Sequence, residues 1–123
     1  MTTNSGGPHY SPFTLGGGLI FVSGQLPLRP GRDTSLATAP FREQAEQTLE
    51  NLKAVLDQAG AGLDQVVKTT VYLSDMADWN EFDAVYGAFF GAARPARSVV
   101  PTGPLHFGFR IEIEAIARAA AEA

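Results

Sequence analysis

Apolar and polar positions along the 123-residue chain alternate with two different periods, and the changes of period mark its elements. Leu19-Ile20-Phe21-Val22 is a continuous apolar run of strand type that ends at Ser23-Gly24-Gln25. Gly16-Gly17-Gly18 ahead of it reads as a turn, and Tyr10 to Leu15 would supply the partner strand of a hairpin. Leu28 to Thr38, with Pro30, Gly31, Asp33 and Ser35, reads as a loop. The period then becomes helical: Phe41, Ala45, Leu49, Leu52, Leu56 and Ala59 share one face, and charged residues occupy the other. Pro40 suits the first helical position and Gly60 a left-handed stop. Val66 to Leu73, rich in Val, Thr and Tyr, predicts a strand. A second helix is expected from about Asp78 to Phe90, with Asp78 as N-cap and Gly91 and Pro95 ending it. Its aromatic face of Trp79, Phe82, Tyr86, Phe89 and Phe90 reads as core packing against a sheet. Ser98 to Thr102 and Phe109 to Ala117 are the last two strands. In the second, Phe109, Ile111, Ile113 and Ala115 alternate with Arg110, Glu112, Glu114 and Ile116.

This order predicts an α+β fold, a mixed sheet of about six strands with two helices packed on one face. Crossovers through the helices make some of the pairing parallel. Two helices cover one face only, so the other is expected to be covered by further copies of the chain. Pro101, Gly103 and Pro104 follow the strand that starts near Ser98, which therefore belongs at an edge or carries a bulge.

Composition narrows the chemistry. At 45% hydrophobic and 18% charged, residues 1–123 read as a single domain. The absence of cysteine excludes thiol nucleophiles, disulfides and cysteine-ligated metals. The two histidines, His9 and His106, are too few for a histidine-rich metal site without carboxylates. A net charge of −4 speaks against a nucleic-acid partner. No apolar run approaches the roughly 20 residues of a membrane span, and Met1 to Pro8 lacks the basic and apolar parts of a signal peptide. The expectation is a soluble, cytoplasmic protein without a membrane partner.

Five blocks carry a resemblance. Ile20-Phe21-Val22-Ser23-Gly24-Gln25-Leu26-Pro27, Glu50 to Leu56, Val66 to Leu73, Arg94-Pro95-Ala96-Arg97-Ser98 and Ile111 to Ala117 resemble, in order and spacing, those of the Rid/YjgF family of reactive intermediate deaminases. The resemblance spans about Pro8 to Ala117. It implies a chorismate-mutase-like homotrimer with ligand clefts between subunits. It also implies hydrolysis of 2-enamine and 2-imino acids of the 2-aminoacrylate type to 2-oxo acids and ammonia, with no cofactor or metal.

Arg97 matches the family's carboxylate-binding arginine, and a guanidinium suits that task because it grips a carboxylate through two parallel hydrogen bonds. Glu112 matches the glutamate credited with positioning water, a general-base role. Glu114, two residues on, reads as the polar face of the strand. Tyr10 matches the tyrosine thirteen positions before the Ser-Gly-Gln block and would donate to substrate or relay a proton. Ser23, Gly24 and the backbone of Val99 would line the cleft, and so would Asp83, where many members carry an asparagine donated to the neighbouring cleft. A carboxylate there would repel an anionic substrate or pair with Arg97. His106 replaces a proline and reads as a loop residue, and Pro12 replaces a glutamine. The alternatives are a non-catalytic trimeric sensor of small carboxylates and a deaminase of a pathway-specific enamine. Ribonuclease activity, described for some relatives, is disfavoured by the acidic charge.

Overall fold

Gly17 and Gly18 both take positive φ (60° and 78°), and the two-residue turn they form closes a hairpin between β1 (Phe13–Gly16) and β2 (Leu19–Gln25). The hairpin opens a computed structural model that describes residues 7–120. Then come α1 (Phe41–Gln58), β3 (Val66–Leu73), α2 (Trp79–Phe90), β4 (Ala96–Pro101) and β5 (Ile111–Arg118). Short 3-10 turns lie at Ser35–Thr38, Leu63–Gln65, Met76–Asp78 and His106–Gly108.

The strand order is β1-β2-β5-β3-β4; β3 and β4 run parallel across the α2 crossover, and every other pair is antiparallel. The mixed sheet and paired helices are as expected, with five strands rather than six. The region from Leu28 to Thr38 adds no strand: Pro30 and Gly31 turn the chain at once, leaving only an isolated bridge between Arg29 and Asp33 before a 3-10 turn. Tyr10, Ser11 and Pro12 lie before β1, which starts at Phe13. β4 is an edge strand, the position at which Pro101 forfeits no ladder bond.

One face of the sheet holds the core. Ile20, Val22, Val71, Leu73, Ile111, Ile113, Ala115 and Ala117 are buried in one cluster with Ala45, Leu49, Leu52 and Leu56 of α1 and Phe82, Val85 and Tyr86 of α2. Cross-strand partners share a face, so Tyr72 with Glu112, Thr70 with Glu114 and Phe21 with Ile116 stand on the other face. That face carries no helix, and Phe21 is 42% exposed there. Among the described residues no helix is long and apolar enough to cross a membrane.

Asp78 does not cap α2 with its side chain. It has helical backbone angles and turns its carboxylate to Arg110 instead, with Nε donating to Oδ2 at 3.0 Å and Nη2 to Oδ1. The fully buried Gln44 accepts from the Arg110 backbone N–H and donates to the Ala39 carbonyl. This cluster ties the starts of α1, α2 and β5 together. Because the Asp78 carboxylate is buried while Arg110 keeps access to water, Asp78→Ala is expected to cost about 2 kcal/mol in urea denaturation. Arg110→Met is expected to cost more than that, because it leaves the buried carboxylate without its cation.

Candidate functional site

Between Val22 and Gln25 the β2–β5 register shifts by one residue, so Ser23 and Gly24 form a bulge. The bulge opens a cavity of about 480 Å³ whose lining includes Tyr10, Ser23, Gly24, Arg32, Asn51, His106 and Glu112. Gly24 allows the close approach of Glu112: a Cβ at this position would overlap the Glu112 carboxylate, which would have to move aside. The Ser23 hydroxyl donates to the Ser11 carbonyl at 2.6 Å, tying the segment that carries Tyr10 to the bulge. Tyr10 itself is 47% exposed. On the far wall, the Asn51 amide donates to the carbonyls of Leu26 and Leu28 at 2.9 and 2.8 Å and accepts from Gln47, so it holds the wall in place.

Glu112 accepts no protein hydrogen bond among the described residues. Burial first, then the neighbouring Glu114 carboxylate, hold its carboxyl above the ordinary carboxylate range, while His106 pulls the other way. Glu114 differs because Tyr72 donates to it at 2.6 Å. That bond is also the main cause of the raised Tyr72 phenol.

Arg97 lies elsewhere. Its register partner on β3 is Thr69, a buried residue of the helix-covered face, so Arg97 and Glu112 stand on opposite faces of the sheet. The Arg97 guanidinium sits 4.8, 5.3 and 5.6 Å from the ring centroids of Tyr86, Phe82 and Trp79, and its Nη1 donates to Asp83 Oδ1 at 2.8 Å. Tyr86 is held from behind by a 2.8 Å bond with Thr69. Arg97, Asp83 and Arg94 line a second cavity of about 370 Å³. The half-exposed Asp83 is the pairing that a carboxylate at this position allows. Val99 lines neither cavity, and its side chain packs against the core.

Of the residues singled out from sequence, the chain thus brings Tyr10, Ser23, Gly24 and Glu112 together and holds Arg97 and Asp83 apart from them. His106 does lie on a loop, but it faces the first cavity together with Arg32. No cue in the sequence joins those two residues, which are far apart in the chain. The aromatic stripe of α2 is core as expected, and it is also the platform under Arg97. Among the described residues no group of three or more His, Asp or Glu could hold a metal ion.

The Glu112 environment is open to direct measurement. In a carboxyl-carbon NMR titration Glu112 is expected to titrate above the ordinary carboxylate range, lower in Glu114→Gln and higher still in His106→Ala. An unshifted titration in both variants would show that neither neighbour acts on it.

Comparison with known proteins agrees over nearly the whole chain. The family model described as endoribonuclease L-PSP matches residues 5–119. The 2-iminobutanoate/2-iminopropanoate deaminase of Escherichia coli K12 is 41% identical over 114 residues, covering 90% of this chain and 87% of that protein. A Rid-family protein of Yersinia pestis superposes with a TM-score of 0.86 at 33% identity, covering 97% of this chain and 96% of its own. Escherichia coli TdcF, solved with bound serine, gives 0.82 at 34% identity, covering 93% and 90%. With its fold, its five sequence blocks and these relatives in agreement, the chain belongs to the Rid/YjgF family.

Proposed function

We propose that this chain hydrolyses 2-enamine and 2-imino acids to 2-oxo acids and ammonia, in clefts formed between the subunits of a homotrimer. The observation that carries the reading is Glu112: a carboxyl with a raised pKa, free of protein hydrogen bonds among the described residues, facing a cavity beside a glycine that leaves it room. A carboxyl whose pKa is raised by burial suits both halves of the reaction, as acid in one and as base in the other. As the acid, it delivers a proton to the enamine β-carbon: the C=C pair forms the new C–H bond and the nitrogen lone pair forms the C=N bond of the iminium. As the carboxylate, it takes a proton from water as the water oxygen bonds to the iminium carbon. The resulting carbinolamine then expels ammonia as its C–N bond breaks and the carbonyl forms. Tyr10 and the Ser23–Gly24 bulge border the reacting atoms.

Arg97 is the residue that holds the substrate carboxylate, and it comes from a neighbouring copy, since its own Glu112 stands across the sheet. The aromatic rings pre-orient its guanidinium, and substrate displaces Asp83. The same displacement suits a sensor that binds a carboxylate without turnover; the bound serine in TdcF favours keeping that second reading. Turnover of imines released by an amino-acid oxidase separates the two.

Arg97→Ala and Glu112→Gln are each expected to lower kcat/KM by at least about a hundredfold. Unfolding the two variants together and refolding them as mixed trimers is expected to restore roughly a quarter of wild-type activity, because that fraction of clefts receives both intact residues. A mixture as inactive as its components would place both residues in one chain's site and overturn the shared cleft. Asp83→Asn removes the competing carboxylate and is expected to lower KM about two- to fivefold, in line with the small worth of a half-exposed ion pair.

A further inference from the structure

The first cavity holds more basic chemistry than a small monocarboxylic imine requires. Its volume of about 480 Å³ falls in the range of about 300–1,000 Å³ that accommodates drug-sized ligands, several times the bulk of a three-carbon imino acid. Two of its lining residues, Arg32 and His106, have no role in the reaction proposed above. Arg32 projects from the turn after Pro30 with φ of 58°, a conformation fixed by the Arg29–Asp33 bridge, and it forms no ion pair among the described residues. Asp33 does not engage it: the Asp33 carboxylate accepts from the Ser35 N–H at 2.8 Å. His106 comes from the opposite wall, on the loop between β4 and β5. Its ring lies against Phe107, with 3.7 Å between centroids and a tilt of 43°, and Phe107 is itself held at positive φ (63°). Both residues are thus presented by shaped backbone, with donors uncommitted to other protein groups among the described residues.

We infer that Arg32 and His106 bind a second acidic group on the substrate, so that the cleft takes dicarboxylic imino or enamino acids in preference to neutral ones. The inference rests on the deaminase reading of the same cavity and assigns its substrate class. A dicarboxylic substrate has one carboxylate for Arg97 of the neighbouring copy and another for this pair. Its imine carbon then lies between them, where Glu112 stands. A guanidinium and an imidazole N–H on a carboxylate are charge-assisted bonds that a neutral side chain leaves unmade.

The test uses the full chain and two imines made in situ. D-2-aminobutyrate with a D-amino-acid oxidase supplies the neutral one, and D-glutamate with a D-aspartate oxidase the acidic one. Semicarbazide competes for free imine in both. In parallel, calorimetry compares binding of 2-oxoglutarate with that of 2-oxobutyrate. The expected result is a kcat/KM for the acidic imine, and an affinity for 2-oxoglutarate, at least tenfold above those of the neutral partners. Arg32→Gln with His106→Ala is expected to shrink both ratios by about tenfold or more, and Arg32→Glu to invert them. Arg32 is exposed, and its variants keep a side chain at a position already adopted by a non-glycine residue, so they are expected to fold. Turnover of the neutral imine with no acidic preference in rate or binding overturns this inference and leaves the deaminase reading standing. A binding preference abolished by the variants, without turnover of either imine, supports the second anion site and overturns the deaminase reading. Neither binding nor turnover overturns both.

Discussion

The two-residue alternation of strand side chains governs what this molecule can do. On β5 the positions Ile111, Ile113, Ala115 and Ala117 fill the core, which forces Glu112 and Glu114 to the bare face. On β3 the buried Thr69, Val71 and Leu73 fix the core side, and the parallel register places Arg97 of β4 on that same side. A slip of one residue on β5 would exchange the buried Ile111 and Ile113 for Glu112 and Glu114, so neither Arg97 nor Glu112 can change face while the fold stands. An anion-binding arginine and an acid–base carboxyl can therefore meet only where one copy's sheet edge approaches another copy's bare face. The fold itself separates the two halves of the proposed chemistry.

Within one chain, the half that belongs to Glu112 is built mainly on regular structure. The bulge at Ser23–Gly24 shifts the β2–β5 register and places a residue without a Cβ where the Glu112 carboxylate sits. The Ser23 hydroxyl then anchors the segment of Tyr10, and Asn51, projecting from α1, anchors the loop of Leu26 and Leu28. Each anchor is a side chain bonded to a main-chain carbonyl, and most are local to the cavity. The cavity walls are thereby held by α1 and β2, and the loops that carry Arg32 and His106 close its rim.

The elements that sequence period makes legible are those whose burial is one-sided. β3 was expected at Val66 to Leu73 and lies there, and α1 starts and stops within a residue of the Phe41-to-Ala59 pattern. Where burial is weak, the pattern misleads. The stretch Tyr10-Ser11-Pro12 has strand-like neighbours, but its proline and exposure leave it outside β1. Asp78 has the composition of an N-cap, yet an arginine 32 residues later claims its carboxylate. The site is legible in the same measure. Glu112 and Gly24 stand in recognisable blocks, and the Arg97–Asp83 pairing is one of the two outcomes expected of a carboxylate at that position, whereas the convergence of Arg32 with His106 depends on which loops meet in space. Local pattern carries no such information.

The two glutamates of β5 show how one face assigns different tasks to identical groups. Tyr72 donates to Glu114, while the Glu114 carboxylate in turn opposes ionisation of Glu112. Burial acts on Glu112 in the same direction. Because its folded pKa lies above the unfolded value, the linkage has a definite sign. The stability Glu112 contributes is fully present below the ordinary carboxylate pKa and is lost as pH rises through the folded value. Above the ordinary carboxylate range the raised pKa of Glu112 therefore works against folding. Substituting glutamine would relieve that opposition, and it would also remove the only carboxyl that lines the cavity among the described residues. Retention of an acid at this position is thus explained by chemistry and opposed by stability, the balance expected where a side chain serves the site rather than the fold.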